Sequence, residues 1–207
     1  LAYGPMVEAA RAAKTGQNEA IAAALAHLND VRVLCSQRHG EHGAVTLSEA
    51  IATSFGIDVG RPTDGALIMV TRNDNHNSEL RNGDVGLMID GKVYFPDYFK
   101  ESVAPASADT EKSLPPLEYR GFGYNELPDP ILAFASTVHK AQGSEYTHCI
   151  TVISQPKEHA DFVSRQILYT AITRAKKKIE LYADGKLLEA AVNRPVVQAS
   201  GLRERLS

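Results

Sequence analysis

The chain has 207 residues, 43% of them hydrophobic and 23% charged, and carries a formal net charge of −3. This is the composition of an ordinary globular protein of one or two domains. It excludes a protein uniformly coated in nucleic acid, so any such contact must be a local basic track. No apolar run approaches the roughly 20 residues of a membrane span. The basic-then-apolar order of a secretory signal is also missing from the start, so a soluble, cytoplasmic protein without a membrane partner is expected.

Gly4-Pro5 sets a proline at a helix start, and Met6, Val7, Ala10 and Ala13 follow at helical spacing. Thr15-Gly16 breaks that helix, and Ile21, Leu25 and Leu28 continue a second. Residues 31–36 are a short β-rich run that reads as a buried strand. Beyond the loop 37–43, Thr46-x-x-Glu49 has the form of a capping box. Ile51 and Phe55 share a face of the helix it would start, and residues 66–71 make another strand. Strand, helix, strand in this order predicts a parallel α/β sheet.

The middle of the chain changes character. Asn82-Gly83 and Asp90-Gly91 are hairpin signals flanked by strands at 84–89 and 92–95. Residues 102–116 are rich in Ser, Ala, Asp and Pro, the composition of an exposed loop. With a further strand at 117–124, this stretch predicts a small all-β insertion. The α/β pattern then resumes, with strands at 131–135 and 148–153, a helix at 162–174, a strand at 178–182 and a last helix at 187–192. The expected organisation is 1–81 and 131–192 as the two parts of one α/β domain, 82–130 as the insertion and 193–207 as a tail.

Cys35 and Cys149 lie in apolar stretches and are expected to be buried free thiols in a reducing compartment. No Cys or His pair has zinc-ligand spacing, and His39 and His42 read as solvated loop residues. No metal site is expected from the residues themselves.

Two stretches carry chemistry. The first, Ser136-Thr-Val-His-Lys-Ala-Gln-Gly-Ser-Glu145, packs a hydroxyl, an imidazole, an ammonium, an amide, a glycine and a carboxylate into one connection after an apolar strand. Open parallel sheets bind ligands at that end of a strand, and Gly143 permits close backbone approach. The competing reading is a capped helix start, with Thr137 and Ser144 as caps. The second, Tyr169-Thr-Ala-Ile-Thr-Arg-Ala-Lys-Lys-Lys178, holds Arg174 at a helix end within a run of cations without an acid. Basic helix ends are ordinarily just solvated, but a packed arginine is also what transferring phosphoryl groups require.

Together the two stretches resemble the last two signature motifs of superfamily 1 helicases, in the RecD-like branch. Val33-Leu-Cys-Ser-Gln-Arg38 is similar to the arginine motif preceding them. Val70-Thr-Arg-Asn-Asp74 and Leu80-Arg-Asn-Gly-Asp-Val-Gly86 resemble the lead-in to a small SH3-like barrel. The resemblance implies a RecA-like second motor domain, of P-loop NTPase fold without its own P-loop, carrying an SH3-like insertion. It makes Arg174 an arginine finger and Arg38 a second γ-phosphate arginine. Gly143 and Glu145 become nucleotide contacts, with Gln142 coupling them to DNA. Thr137, His139 and Lys140 become contacts to single-stranded DNA, as do Arg72 and Asn73 unless a polar turn explains them.

The chain lacks the Gly-x-x-x-x-Gly-Lys-(Ser/Thr) loop that cradles a triphosphate. The resemblance therefore implies that ATP and Mg²⁺ are held mainly by an N-terminal RecA-like half preceding Leu1, and that this portion alone is inactive. The intact protein would be a 5′ to 3′ helicase of double-strand break repair and recombination. It would serve either with RecB- and RecC-type subunits, as in exodeoxyribonuclease V, or alone. Two alternatives stay open at this level: a non-catalytic RecA-like module binding DNA or a partner, and the helicase domain of a conjugative relaxase.

Overall fold

A computed structural model describes residues 2–74, 80–97, 118–155 and 163–194. The predicted loop at 102–116, the start of the predicted helix at 162 and most of the tail lie outside the described residues. Helices α1 (Gly4–Ala12) and α2 (Asn18–Ala26) open the chain, α1 with proline in its first turn as the sequence predicts. Strand β1 (Val31–Cys35) and helix α3 (Ala44–Ser54) follow. Five strands come next: β2 (Leu67–Val70), β3 (Val85–Ile89), β4 (Lys92–Pro96), β5 (Tyr119–Gly123) and β6 (Pro130–Leu132). Then come β7 (Ala135–Thr137), β8 (Tyr146–Ile153), α4 (Arg165–Ile172), β9 (Ala175–Ala183) and α5 (Gly185–Asn193).

The strands form two sheets. A parallel sheet has the order β7-β1-β8-β9, and a separate antiparallel sheet the order β5-β4-β3-β2-β6. The α/β fold class is as expected, but two elements are placed differently. The strand near residues 66–71 belongs to the antiparallel sheet rather than the parallel one, pairing with β3 and β6. The single apolar run predicted at 131–135 is shared between both sheets, because the chain crosses from β6 to β7 within it. Ala133 and Phe134, both buried, make the crossing. Tyr3 anchors it: its hydroxyl donates to the Phe134 carbonyl and accepts from Val33 N at 3.1 Å, and the two rings meet edge-on at 5.2 Å.

The β3–β4 hairpin turns on Asp90-Gly91 with both residues at positive φ, 49° and 76°, as the primed two-residue turn requires. The expected capping box does not form. Helix α3 starts at Ala44, so Thr46 lies inside its first turn and donates to the Gly40 carbonyl instead. The loop 37–43 does the capping with its backbone, since the carbonyls of Gln37 and Arg38 accept from Ala44 N and Val45 N at 3.1 Å each.

The larger core joins α1 and α2 to the antiparallel sheet and to one face of β1 and β7. On the other face of the parallel sheet, Leu34, Cys149, Val138, Ala141, Tyr146 and Ala171 pack together. Cys149 pairs with Arg32 and Cys35 with Val152. Paired neighbours share a face and successive residues alternate, so the two thiols lie on opposite faces, both buried and free. His39 and His42 are exposed. No helix among the described residues is long and apolar enough to cross a membrane.

Candidate functional site

All four strands of the first sheet run the same way, so it has one amino and one carboxyl edge. The expected site residues occupy both. Thr137 lies level with Cys35, and Cys35 with Val152, six residues along β8 from Tyr146. That is about 20 Å of strand. The connection 138–145 leaves β7 at the carboxyl edge and must enter β8 at the amino edge, so it crosses the whole sheet. It does so in successive turns: Ala141 N donates to the Thr137 carbonyl, Gln142 N to that of His139 and Ser144 N to that of Ala141. Val138 and Ala141 face inward, while His139, Lys140, Gln142, Gly143 and Glu145 are exposed. Thr137 Oγ1 accepts from Lys140 N at 3.3 Å, but no helix follows.

At the carboxyl edge, Thr137, Lys140 and Arg38 line a cleft of about 50 Å³ with Ser136, Ala44 and Met69. The backbone-capped loop after β1 puts Arg38 there. Gly43 makes that loop possible, because a Cβ on it would sit 2.5 Å from the His39 carbonyl carbon. Partial desolvation beside the cleft holds the Lys140 ammonium below its usual pKa, helped by the Arg38 charge and opposed by Asp129. Two cations with one acid nearby suit a phosphate backbone. Asp129 also accepts from the Thr71 hydroxyl at 2.8 Å, which ties the turn bearing exposed Arg72 and Asn73 to this region. Asn73 Oδ1 accepts from Asn82 N at 2.8 Å, the polar-turn role.

At the amino edge, α4 ends at Ile172 and Arg174 follows its closing residue, Thr173. The Arg174 guanidinium is held on three sides. It donates from Nε to the Thr170 carbonyl at 3.2 Å, from Nη2 to Thr173 Oγ1 at 3.2 Å and from Nη1 to the Ser144 carbonyl at 3.0 Å. Tyr146 N donates to the Arg174 carbonyl at 2.8 Å. The two motifs, some 30 residues apart, thus meet at one spot. A register shift between β8 and β9 follows at once, and it lies beside Lys176, which reaches Glu145 at 3.5 Å. Both partners are more than half exposed, so the pair adds little stability and can open. Gly143 has φ +89° and nothing within 4 Å of where a Cβ would stand, leaving its backbone open to a ligand.

The structure therefore brings Gly143, Glu145 and Arg174 together at one edge, and Thr137, His139, Lys140 and Arg38 at the other. Arg38 is not beside Arg174, although a shared γ-phosphate contact was expected of both. Gln142 lies on the crossing between the edges. Sequence reasoning missed Lys176 as the Glu145 partner and Asp129 beside Lys140, since both pairings depend on which strands become neighbours.

Residues 132–182 match the UvrD-like helicase C-terminal domain family. The chain is 32% identical over 191 residues to the RecBCD enzyme subunit RecD of Haemophilus influenzae, covering 86% of this chain and 25% of that protein. Over most of its length it is similar to RecD. The RecD subunit of Mycobacterium tuberculosis is likewise 32% identical over 188 residues, 88% of this chain and 30% of its own. The ATP-dependent RecD2 DNA helicase of Deinococcus radiodurans is 30% identical over 155 residues, 72% of this chain and 19% of its own. The RecD-like portion thus spans less than a third of these relatives. The matched family segment runs from the sheet crossing through β9 and contains both motifs.

Proposed function

We propose that this chain is the C-terminal motor half of an ATP-dependent DNA helicase. In this reading the amino edge of the parallel sheet meets ATP and the carboxyl edge meets single-stranded DNA. One observation carries it: a single connection, 138–145, links the two edges and is pinned at its nucleotide end by Arg174. Nucleotide closing on Arg174 pulls on Ser144, and through the turns at 138–144 on the residues that touch DNA. Without a phosphate loop in its sequence, the portion relies on an N-terminal RecA-like half to cradle ATP with Mg²⁺, and it hydrolyses nothing alone. The chain's short span of its relatives leaves ample length for that half.

Arg174 is the arginine finger and Glu145 the ribose acceptor, released from Lys176 when nucleotide arrives. Gly143 lets the backbone approach, and Gln142 transmits. Thr137, His139 and Lys140 hold DNA, with Arg72 and Asn73 flanking them. Arg38, given its place beside Lys140, takes a DNA phosphate rather than the γ-phosphate. The reading extends to 5′ to 3′ movement and a cytoplasmic role in double-strand break repair and recombination. Likeness to two RecBCD enzyme subunits supports service with RecB- and RecC-type partners. The test is ATP turnover by the isolated chain and by the full-length protein, each with single-stranded DNA. Turnover only in the full-length protein, lost in Arg174→Ala, is the expected result. Turnover by the isolated chain overturns the division of labour.

A further inference from the structure

Arg32 is 2% exposed and is the second residue of the otherwise apolar strand Val31–Cys35. Among the described residues no carboxylate pairs with it, and its Nε has no hydrogen-bond partner. A buried, unpaired guanidinium is costly, and an apolar side chain of similar size would pack there at less cost. The contacts it does make explain its presence. Nη1 donates to the Ala133 carbonyl at 2.8 Å, at the crossing between the sheets. Nη2 donates to the Leu28 carbonyl at 3.4 Å. The guanidinium carbon lies 4.9 Å from the centre of the Tyr146 ring, a cation–π distance. Tyr146 is buried, begins β8, and donates its backbone N–H to the Arg174 carbonyl.

We infer that Arg32 is a positioning residue for Arg174. It fixes the Tyr146 ring, and the Tyr146 backbone fixes the arginine that the proposed function places against the γ-phosphate. Because Ala133 leads directly into β7 and the carboxyl edge, the same side chain also braces the DNA-side strand against the finger's anchor. A planar, permanently charged fork can serve two carbonyls and stack on a ring at once, which a lysine cannot. The inference rests on the reading of Arg174 given above, yet its structural step can be read separately.

The experiment compares Arg32→Met, Arg32→Lys, Tyr146→Leu and Tyr146→Phe. In the full-length protein, steady-state hydrolysis with saturating single-stranded DNA gives kcat and the KM for ATP. In the isolated chain, amide exchange gives the protection of the Tyr146 N–H. The inference expects Arg32→Met, Arg32→Lys and Tyr146→Leu to lower kcat at least tenfold with KM within twofold. It expects each of them to lower Tyr146 protection more than that of Ile150 and Val152. Tyr146→Phe keeps the ring, so it should stay near wild type in both readouts. Equal loss of protection along β8, or wild-type kcat in Tyr146→Leu, would overturn the inference; should Arg32→Met fail to fold, the Tyr146 pair still decides. If Arg174→Ala keeps its kcat while the Tyr146 amide still depends on Arg32, the finger reading fails and the brace stands.

Discussion

Arg174 Nη1 reaches the Ser144 carbonyl at 3.0 Å, which makes a helix end and a sheet-crossing loop into one unit. The bond goes to backbone, so the identity of residue 144 matters little to it, whereas Arg174 must be arginine. A lysine has no fork with which to hold Thr170, Thr173 and Ser144 together.

The proposed function gives the carboxyl edge to DNA, a reading supported by Arg38 and Lys140 lining one cleft with Thr137. In the full-length protein, Arg38→Ala and Lys140→Ala should each weaken single-stranded DNA binding and reduce the salt slope of log K by about 0.7, one phosphate contact each. Fluorescence anisotropy between low and physiological salt measures this. An Arg38→Ala variant with an unchanged slope but a raised KM for ATP would return Arg38 to the nucleotide.

Gly43→Ala tests the loop that places Arg38. The added Cβ would meet backbone at 2.5 Å, and backbone cannot step aside as a flexible side chain can. The loop 37–43 and the first turn of α3 should distort, at a cost of about 2 kcal/mol or more. Thermal unfolding should show that loss, and DNA affinity should fall as it does in Arg38→Ala.

Burial pushes the Cys35 thiol up to about 12 and the Cys149 thiol up to about 11. Below pH 9 both states keep these protons and stability is unaffected. Above pH 9 the unfolded chain releases them while the folded chain holds them, so stability falls with rising pH towards 11 and 12. Replacing both by alanine should flatten that alkaline decline in urea unfolding curves. In the native state, neither thiol should react with a thiol reagent at pH 8.

Much of the fold was legible because its signals are local. Pro5 marked α1, Asp90-Gly91 marked a hairpin, and period and composition marked β1, β8 and β9. What was not legible depends on partners distant in sequence. Nothing in Leu67–Val70 says whether its neighbours run parallel or antiparallel, and the apolar run at 131–135 carries no mark of the sheet crossing inside it. The capping box at Thr46 failed because carbonyls of the preceding loop reached the helix N–H groups first. The motif pattern is linear, and it suggested Arg38 beside Arg174, whereas the sheet sets them at opposite edges. Arg32 did leave a signal, a charge inside a five-residue buried strand, though not the reason for it.

The central claim is that Arg174 completes a nucleotide site which another part of the protein begins. Its most direct test is ATP hydrolysis by the full-length protein with saturating single-stranded DNA, wild type against Arg174→Ala. The account predicts a fall in kcat of about a thousandfold or more, with DNA affinity within about twofold. An Arg174→Ala variant that hydrolyses ATP at the wild-type rate would contradict it.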